Sequence, residues 1–307
     1  MAGEHSTGTT GHSRAISPQA AVAMLLVVAV VFGSNHVSAR IAFDHGASVA
    51  TAVFARSAVT ATVLLVLMKV MGVSLAVPKP TLGRGLVIGL LVSMQSLCIY
   101  SAVARIPVAL ALLAFNLFPM LFALWSWVFD GTRPSGRAMV AMPIALVGLV
   151  LALDLVGSLE MVAGRWQQIG TGVLFGLGAA LSFSLALYLT GRWLQAVDGR
   201  MRAFMTLSVT GIVALAIALP MDAFAFPRDA GGWTALVALT VLYGTGITAL
   251  FIVQPLPGVS RYTAAMNFEP IAVLFMGWGI LDQAMKPLQL VGAAVVVGAV
   301  ILLTSKK

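Results

Sequence analysis

One cysteine, four histidines, four tyrosines and ten acidic residues in 307 positions leave little from which to build a catalytic or metal centre. The lone thiol, Cys98, excludes an intrachain disulfide. The histidines show no ligand spacing, so no metal site and no cofactor are expected. No HExxH, no Walker loop and no nucleophile beside an obvious base occurs, which argues against an enzyme and against ATP as an energy source within this chain. Charge is scarce as well. Charged residues make up 9% of the chain, against roughly 25% in a soluble domain.

What fills the chain instead is apolar. Hydrophobic residues make up 60% of it, and the mean hydropathy is +1.02. Ten apolar stretches are predicted as helices at 18–39, 47–71, 84–104, 108–129, 137–154, 168–190, 203–220, 233–254, 262–281 and 286–304. At ~1.5 Å of rise per residue each can cross a hydrocarbon core ~30 Å thick, the shorter ones only just. The expected fold is an all-α polytopic membrane protein with short tails and loops and no domain outside the bilayer. The first stretch reads as a helix and not a cleaved signal, because its apolar run is long and nine more follow.

Basic residues set the orientation. Twelve fall on the side shared by the N-terminus and the even-to-odd loops, five fall on the other side, and Arg56 alone lies inside a span. That bias predicts a plasma-membrane protein, in the inner membrane if the source is bacterial, with both termini cytoplasmic. The formal charge of +8 is spread singly through short loops. Such residues suit anionic lipid headgroups, and without interleaved aromatics they form no nucleic-acid surface.

The chain also repeats itself. Pro107–Pro119 (PVALALLAFNLFP) aligns with Gly258–Pro270 (GVSRYTAAMNFEP), placing Asn116 on Asn267 and Pro119 on Pro270 at an offset of 151. The same offset puts Phe32 on Phe183 and Tyr100 on Phe251, while Asp130 meets Asp282 at 152 and Gly148 meets Gly298 at 150. Two halves follow, 18–155 and 166–307, with five spans each. An odd number of spans turns the second half upside down relative to the first. Inverted repeats place substrate sites near the midplane, between the halves.

Several of these residues resemble the EamA-type branch of the drug/metabolite transporter superfamily over essentially the whole length. They are Phe32-Gly33-Ser34-Asn35, Arg56, Glu269-Pro270, Asp282, and Gln289-x-x-Gly292 with Gly298. Phe32 stands where the family usually has Trp, and Asp130 and Asp282 where Glu is commoner. The resemblance implies ten helices in two inverted five-helix repeats and a carrier of small metabolites such as amino acids, sugars or drug-like compounds, often outward. It lies nearest in type to the amino-acid exporters.

Arg56 and Glu269 are the strongly ionisable residues well inside the predicted spans. Each charge would cost ~2.5–3.5 kcal/mol or more facing lipid, so both should face the bundle interior or a wet cavity. Two arrangements are open: an internal ion pair that locks the bundle, or a site in which Glu269 accepts a substrate ammonium or a proton while Arg56 supports it. Protons are thus a candidate coupling ion. Pro119 and Pro270 each remove a helical hydrogen bond and free the carbonyls of Phe115 and Met266, beside Asn116 and Asn267. Those amides can satisfy the freed backbone or bind ligand. Asn35 and His36 lie toward the end of the first span, as site or interfacial residues, and Gln95 and Tyr100 are further candidates for the cavity wall. Trp125, Trp127, Trp166, Trp193 and Trp233 read as interface anchors. The GxxxG pairs Gly85/Gly89 and Gly172/Gly176 mark close helix contacts, internal or between copies. Oligomeric state is left open.

Overall fold

The computed structural model describes residues 17–131, 133, 136–152, 163–253, 265–266, 268–283 and 286–304. Eleven helices occur among them: α1 (Pro18–Asp44), α2 (Val49–Val70), α3 (Lys79–Val103), α4 (Val108–Phe115), α5 (Phe118–Asp130), α6 (Gly136–Ala152), α7 (Ala163–Trp193), α8 (Gly199–Ala218), α9 (Ala230–Val253), α10 (Glu269–Leu281) and α11 (Pro287–Thr304). Among the described residues there is no strand. Seven segments are long and apolar enough to cross a bilayer, with α4 and α5 together forming one of them. The shorter apolar helices Met139–Ala152, Glu269–Leu281 and Pro287–Leu302 accompany these.

Local chemistry sets the helix ends. Ser17 and Ser48 cap α1 and α2 by accepting from the backbone N–H of Ala20 and Thr51, and Asp198 caps α8 through Arg200 N–H. Proline opens α1, α5, α10 and α11, where its missing N–H costs nothing. Gly131 ends α5 with φ +69°, and Asp282 ends α10 in the same left-handed way at φ +51°. The two halves therefore stop equivalent helices with the same turn.

The predicted span 108–129 is not one bent helix. It is two, α4 and α5, separated at Asn116 and Leu117. The Asn116 side chain donates to the Leu112 carbonyl at 2.8 Å, the same carbonyl that the Asn116 N–H reaches. Doubling up on that acceptor closes α4 one turn before Pro119, which then begins α5.

Packing is organised across the halves. α6 lies on α11, and α2 lies on α8. Six further seams come in exchange-related pairs: α3 on α7 with α1 on α9, α3 on α8 with α2 on α9, and α5 on α7 with α10 on α1. Small residues permit these approaches. A Cβ on Gly292 would lie 2.6 Å from the Gly148 carbonyl oxygen and 2.8 Å from Ala152 Cα, so α6 and α11 meet backbone to backbone. Gly89 accommodates Val209 of α8, and Gly172 accommodates Ile106. Both GxxxG pairs thus serve contacts inside the chain.

Many large apolar side chains lie on the outer surface. Val27, Val147, Ile212 and Phe275 are all more than half exposed, as suits a lipid-facing wall. Trp278 also points outward at 67% exposure. The Trp125 indole N–H donates to Ser184 Oγ at 3.0 Å in the α5–α7 seam, and its ring stacks on Phe129.

Candidate functional site

Arg56 sits on α2 at 3% exposure. Tyr100 of α3 and Tyr243 of α9 stack over its guanidinium carbon, with ring centroids at 4.4 and 4.1 Å. A cation–π contact shielded from water contributes about 2 kcal/mol, so two rings replace part of the lost hydration. Among the described residues no carboxylate pairs with Arg56, and its Nε has no hydrogen-bond partner.

Glu269 opens α10, and its Oε1 lies 3.5 Å from His36 Nε2. Gly33 makes that meeting possible. Its missing Cβ would fall 2.9 Å from Val273 Cγ2 and 3.6 Å from the Glu269 carbonyl oxygen, so α10 settles directly against α1. The His36 ring packs edge-on to Tyr100, with centroids 5.9 Å apart at 86°. Tyr100 donates its hydroxyl to Asn35 Oδ1 at 3.0 Å, and Asn35 Nδ2 donates to the Leu239 carbonyl of α9 at 2.7 Å. Phe32 meets Tyr243 edge-on at 6.4 Å. One connected cluster therefore draws on α1, α2, α3, α9 and α10, and on both halves.

Six expected site residues come together here or at the neighbouring cavity: Asn35, His36, Arg56, Gln95, Tyr100 and Glu269. The internal Arg56–Glu269 pair is not formed, since His36 takes the carboxylate side and the tyrosines take the guanidinium. Asn35 and His36 are buried at 0% and 8% exposure instead of interfacial, because α1 continues to Asp44. Its last turn is extended by the Arg40–Asp44 pair at 2.9 Å. Asn116 stands apart and serves its own backbone. Asn267 lies outside the described residues. Pro119 and Pro270 begin helices and do not kink them. Sequence reasoning passed over Tyr243, Ser57 and Thr60. No signal in the sequence singled them out, since any of the chain's phenylalanines, tryptophans and tyrosines could have faced the buried cation.

Beside the cluster lies a cavity of about 810 Å³ bounded by α2, α3, α7, α8 and α9. Its walls are mostly apolar, including Leu64, Ile88 and Phe183. Gln95 and Tyr243 line it, and at one end it reaches Asp198, Arg200 and Arg202. The opposite end of the bundle is tied across the halves. The Ser48 N–H donates to the Ala225 carbonyl at 2.9 Å, the Arg228 N–H donates to the His45 carbonyl at 3.0 Å, and His45 Nδ1 lies 2.7 Å from Asp229 Oδ2. Gln283 Oε1 accepts from the Val108 N–H at 3.2 Å.

A family model described as the EamA-like transporter family matches the chain twice, over residues 19–153 and 170–305. The chain belongs to the EamA-like transporter family. Two matched stretches confirm the duplication read from the sequence, and membership makes this a multi-pass membrane transporter of the drug/metabolite superfamily. The EamA-like family is a family of transporters and not of enzymes. Its fold is seen again in a solved crystal structure that is 19% identical, covers 92% of this chain and 96% of its own, and superposes with a TM-score of 0.62.

Proposed function

We propose that this EamA-like protein is a secondary transporter that moves small metabolites, amino acids or related compounds, out of the cytoplasm by alternating access. The observation that carries this reading is the His36–Glu269–Arg56 cluster, contributed by both halves, beside a cavity that reaches one end of the bundle while the other end is tied shut. In a bilayer a buried ionisable group marks a substrate or ion pathway by default. Counting α4 with α5, the apolar helices make ten spans in two inverted repeats, 18–155 and 166–307. The positive-inside bias puts the cavity mouth at Asp198 and Arg200 in the cytoplasm, together with both termini.

On this reading substrate enters from the cytoplasm, its apolar body against Leu64, Ile88 and Phe183. It reaches the charged cluster past Tyr243 and leaves when the ties at His45 and Ser48 part. Glu269 and His36 form the coupling pair, with a proton as the candidate ion. The test is flux of labelled amino acids and small metabolites in proteoliposomes, with and without a pH gradient, for wild type and Glu269→Gln. Saturable flux that a folded Glu269→Gln protein has lost supports the reading. Equal flux in both proteins returns Glu269 to a structural role.

A further inference from the structure

Hydroxyl groups in the spans of this chain mostly return their proton to the carbonyl one turn back. Thr62, Ser93, Thr190, Thr210 and Thr240 all do so, at 2.7–2.8 Å. Ser57 and Thr60 of α2 are exceptions. They are buried at 0% and 2% exposure, and neither hydroxyl has a hydrogen-bond partner among the described residues. The Nε of Arg56, in the same helical turn, lacks one too. The other buried side-chain atom in this condition, His36 Nδ1, belongs to the pair with Glu269. Buried polar groups are normally satisfied, so three unsatisfied groups within one turn point to a missing ligand.

Geometry says what kind. Stacking on tyrosine rings uses the flat face of a guanidinium and leaves its in-plane N–H donors for an acceptor. Arg56 and Thr60 are four residues apart and share one face of α2. Across from them α9 carries Tyr243 and then Gly244, where a Cβ would lie 3.3 Å from Thr60 Oγ1. The absent side chain leaves room beside the hydroxyl. Continuing along α2, Leu64 and Leu67 line the cavity, and so does Tyr243. Arg56 is therefore one ring away from the space a solute would occupy, and Thr60 borders a second, smaller cavity of about 480 Å³ between α2 and α9.

We propose that Arg56, Ser57 and Thr60 form an anion subsite, covered by Tyr243 in this structure, that takes the carboxylate of the transported molecule. The proposal rests on the transport reading above and deepens it by requiring an acid group on the substrate. One fixed positive charge matches a monoanion. The two oxygens of a carboxylate suit the edge of a guanidinium, and the hydroxyls can donate to the same oxygens. Tyr243 must turn aside for the acid to arrive, which makes its ring the cover of the subsite.

The experiment measures thermal stabilisation of the purified full-length protein by acetate, benzoate and L-leucine at constant ionic strength. Acetamide, benzamide and L-leucinamide serve as counterparts without the acid, and inorganic phosphate as a second anion. The acids should raise the melting temperature saturably, the amides should not, and Arg56→Gln should abolish the effect. Should Arg56→Gln fail to fold, Thr60→Val carries the test, with acid affinity expected to fall about tenfold through the lost hydrogen bond to a charged group. Four results overturn the proposal: no stabilisation by any acid, equal stabilisation by acids and amides, phosphate acting in place of the acids, or a wild-type response in the variants. Flux of the same acids in proteoliposomes separates the two claims. Acid binding without flux retains the subsite and removes the transport reading, whereas flux indifferent to Arg56→Gln removes the subsite and leaves transport standing.

Discussion

His45 Nδ1 lies 2.7 Å from Asp229 Oδ2, joining the turn after α1 to the loop before α9. The contact does not stand alone. The Asp229 carboxylate also accepts from the Gly232 N–H at 2.8 Å, and Ser48 bonds the Ala225 backbone through both its N–H and its Oγ. Gly46, at φ +98°, lets the turn fold back against the Arg228 side chain. An exposed ion pair is worth little alone, so the strength of this tie lies in its backbone bonds.

If this end must open during transport, fixing it shut stops turnover. Replacing Ser48 and Ala225 with cysteines, in a protein whose single native thiol is removed by Cys98→Ala, places two thiols where the backbones already touch. Oxidation should abolish flux and reduction should restore it. Full activity in the cross-linked protein would show that the tie stays closed throughout the cycle.

The same tie gives stability a dependence on acid. The Gly232 N–H, and after it His45, holds the Asp229 carboxyl below the usual carboxylate range. A group lowered in this way adds stability above its unfolded value, about 3.9 for aspartate, and loses it as pH falls through the lower native value. The melting temperature of wild type should therefore fall more steeply below about pH 4 than that of Asp229→Asn. Identical slopes would mean that the carboxylate contributes nothing in solution.

Asn35 predicts a larger loss. Its amide accepts from Tyr100 and donates to Leu239 at full burial. Asn35→Leu orphans the Tyr100 hydroxyl, at a cost of about 1–3 kcal/mol, and also removes the second bond to the Leu239 carbonyl, which keeps its helical donor. Tyr100→Phe keeps the ring over Arg56 but leaves the Asn35 Oδ1 without its donor, so its cost should also be about 1–3 kcal/mol and smaller than that of Asn35→Leu by the Leu239 bond. Chemical denaturation in detergent measures both. Equal losses would show that the Asn35–Leu239 bond carries no weight.

Gly292 and Gly298 make a paired test on α11. A Cβ at 292 runs into the backbone of α6, while one at 298 meets nothing within 4 Å. Gly292→Ala should destabilise by about 1–3 kcal/mol or more through overpacking. Gly298→Ala should leave stability unchanged or slightly raised, and similar melting temperatures for the two would argue that α6 and α11 separate at little cost.

Much of this was readable from residue types alone. Charge is so costly in hydrocarbon that Arg56 and Glu269 had to be interior, and the offset of 151 exposed the duplication. Which partner each charge takes was not readable, because the answer depends on helices far apart in sequence. Glu269 meets His36 through the close approach at Gly33, and Arg56 meets Tyr243 across 187 positions of chain. Nor could Pro119 tell a bend from a break. A lost N–H permits either, and Asn116 decided it by turning its amide onto Leu112. The Trp125 partner was equally hidden, since Ser184 lies on a helix of the other repeat, 59 positions away.

The main seams, α1 on α9, α3 on α7, α2 on α8 and α6 on α11, all join one repeat to the other, whereas helices of the same repeat touch sparingly. Each repeat is thus a unit of inheritance without being a unit of folding. A single copy expressed alone would lack the surfaces its helices pack against, which the other repeat supplies. The covalent link between the repeats fixes what two separate chains would leave to chance, their one-to-one ratio.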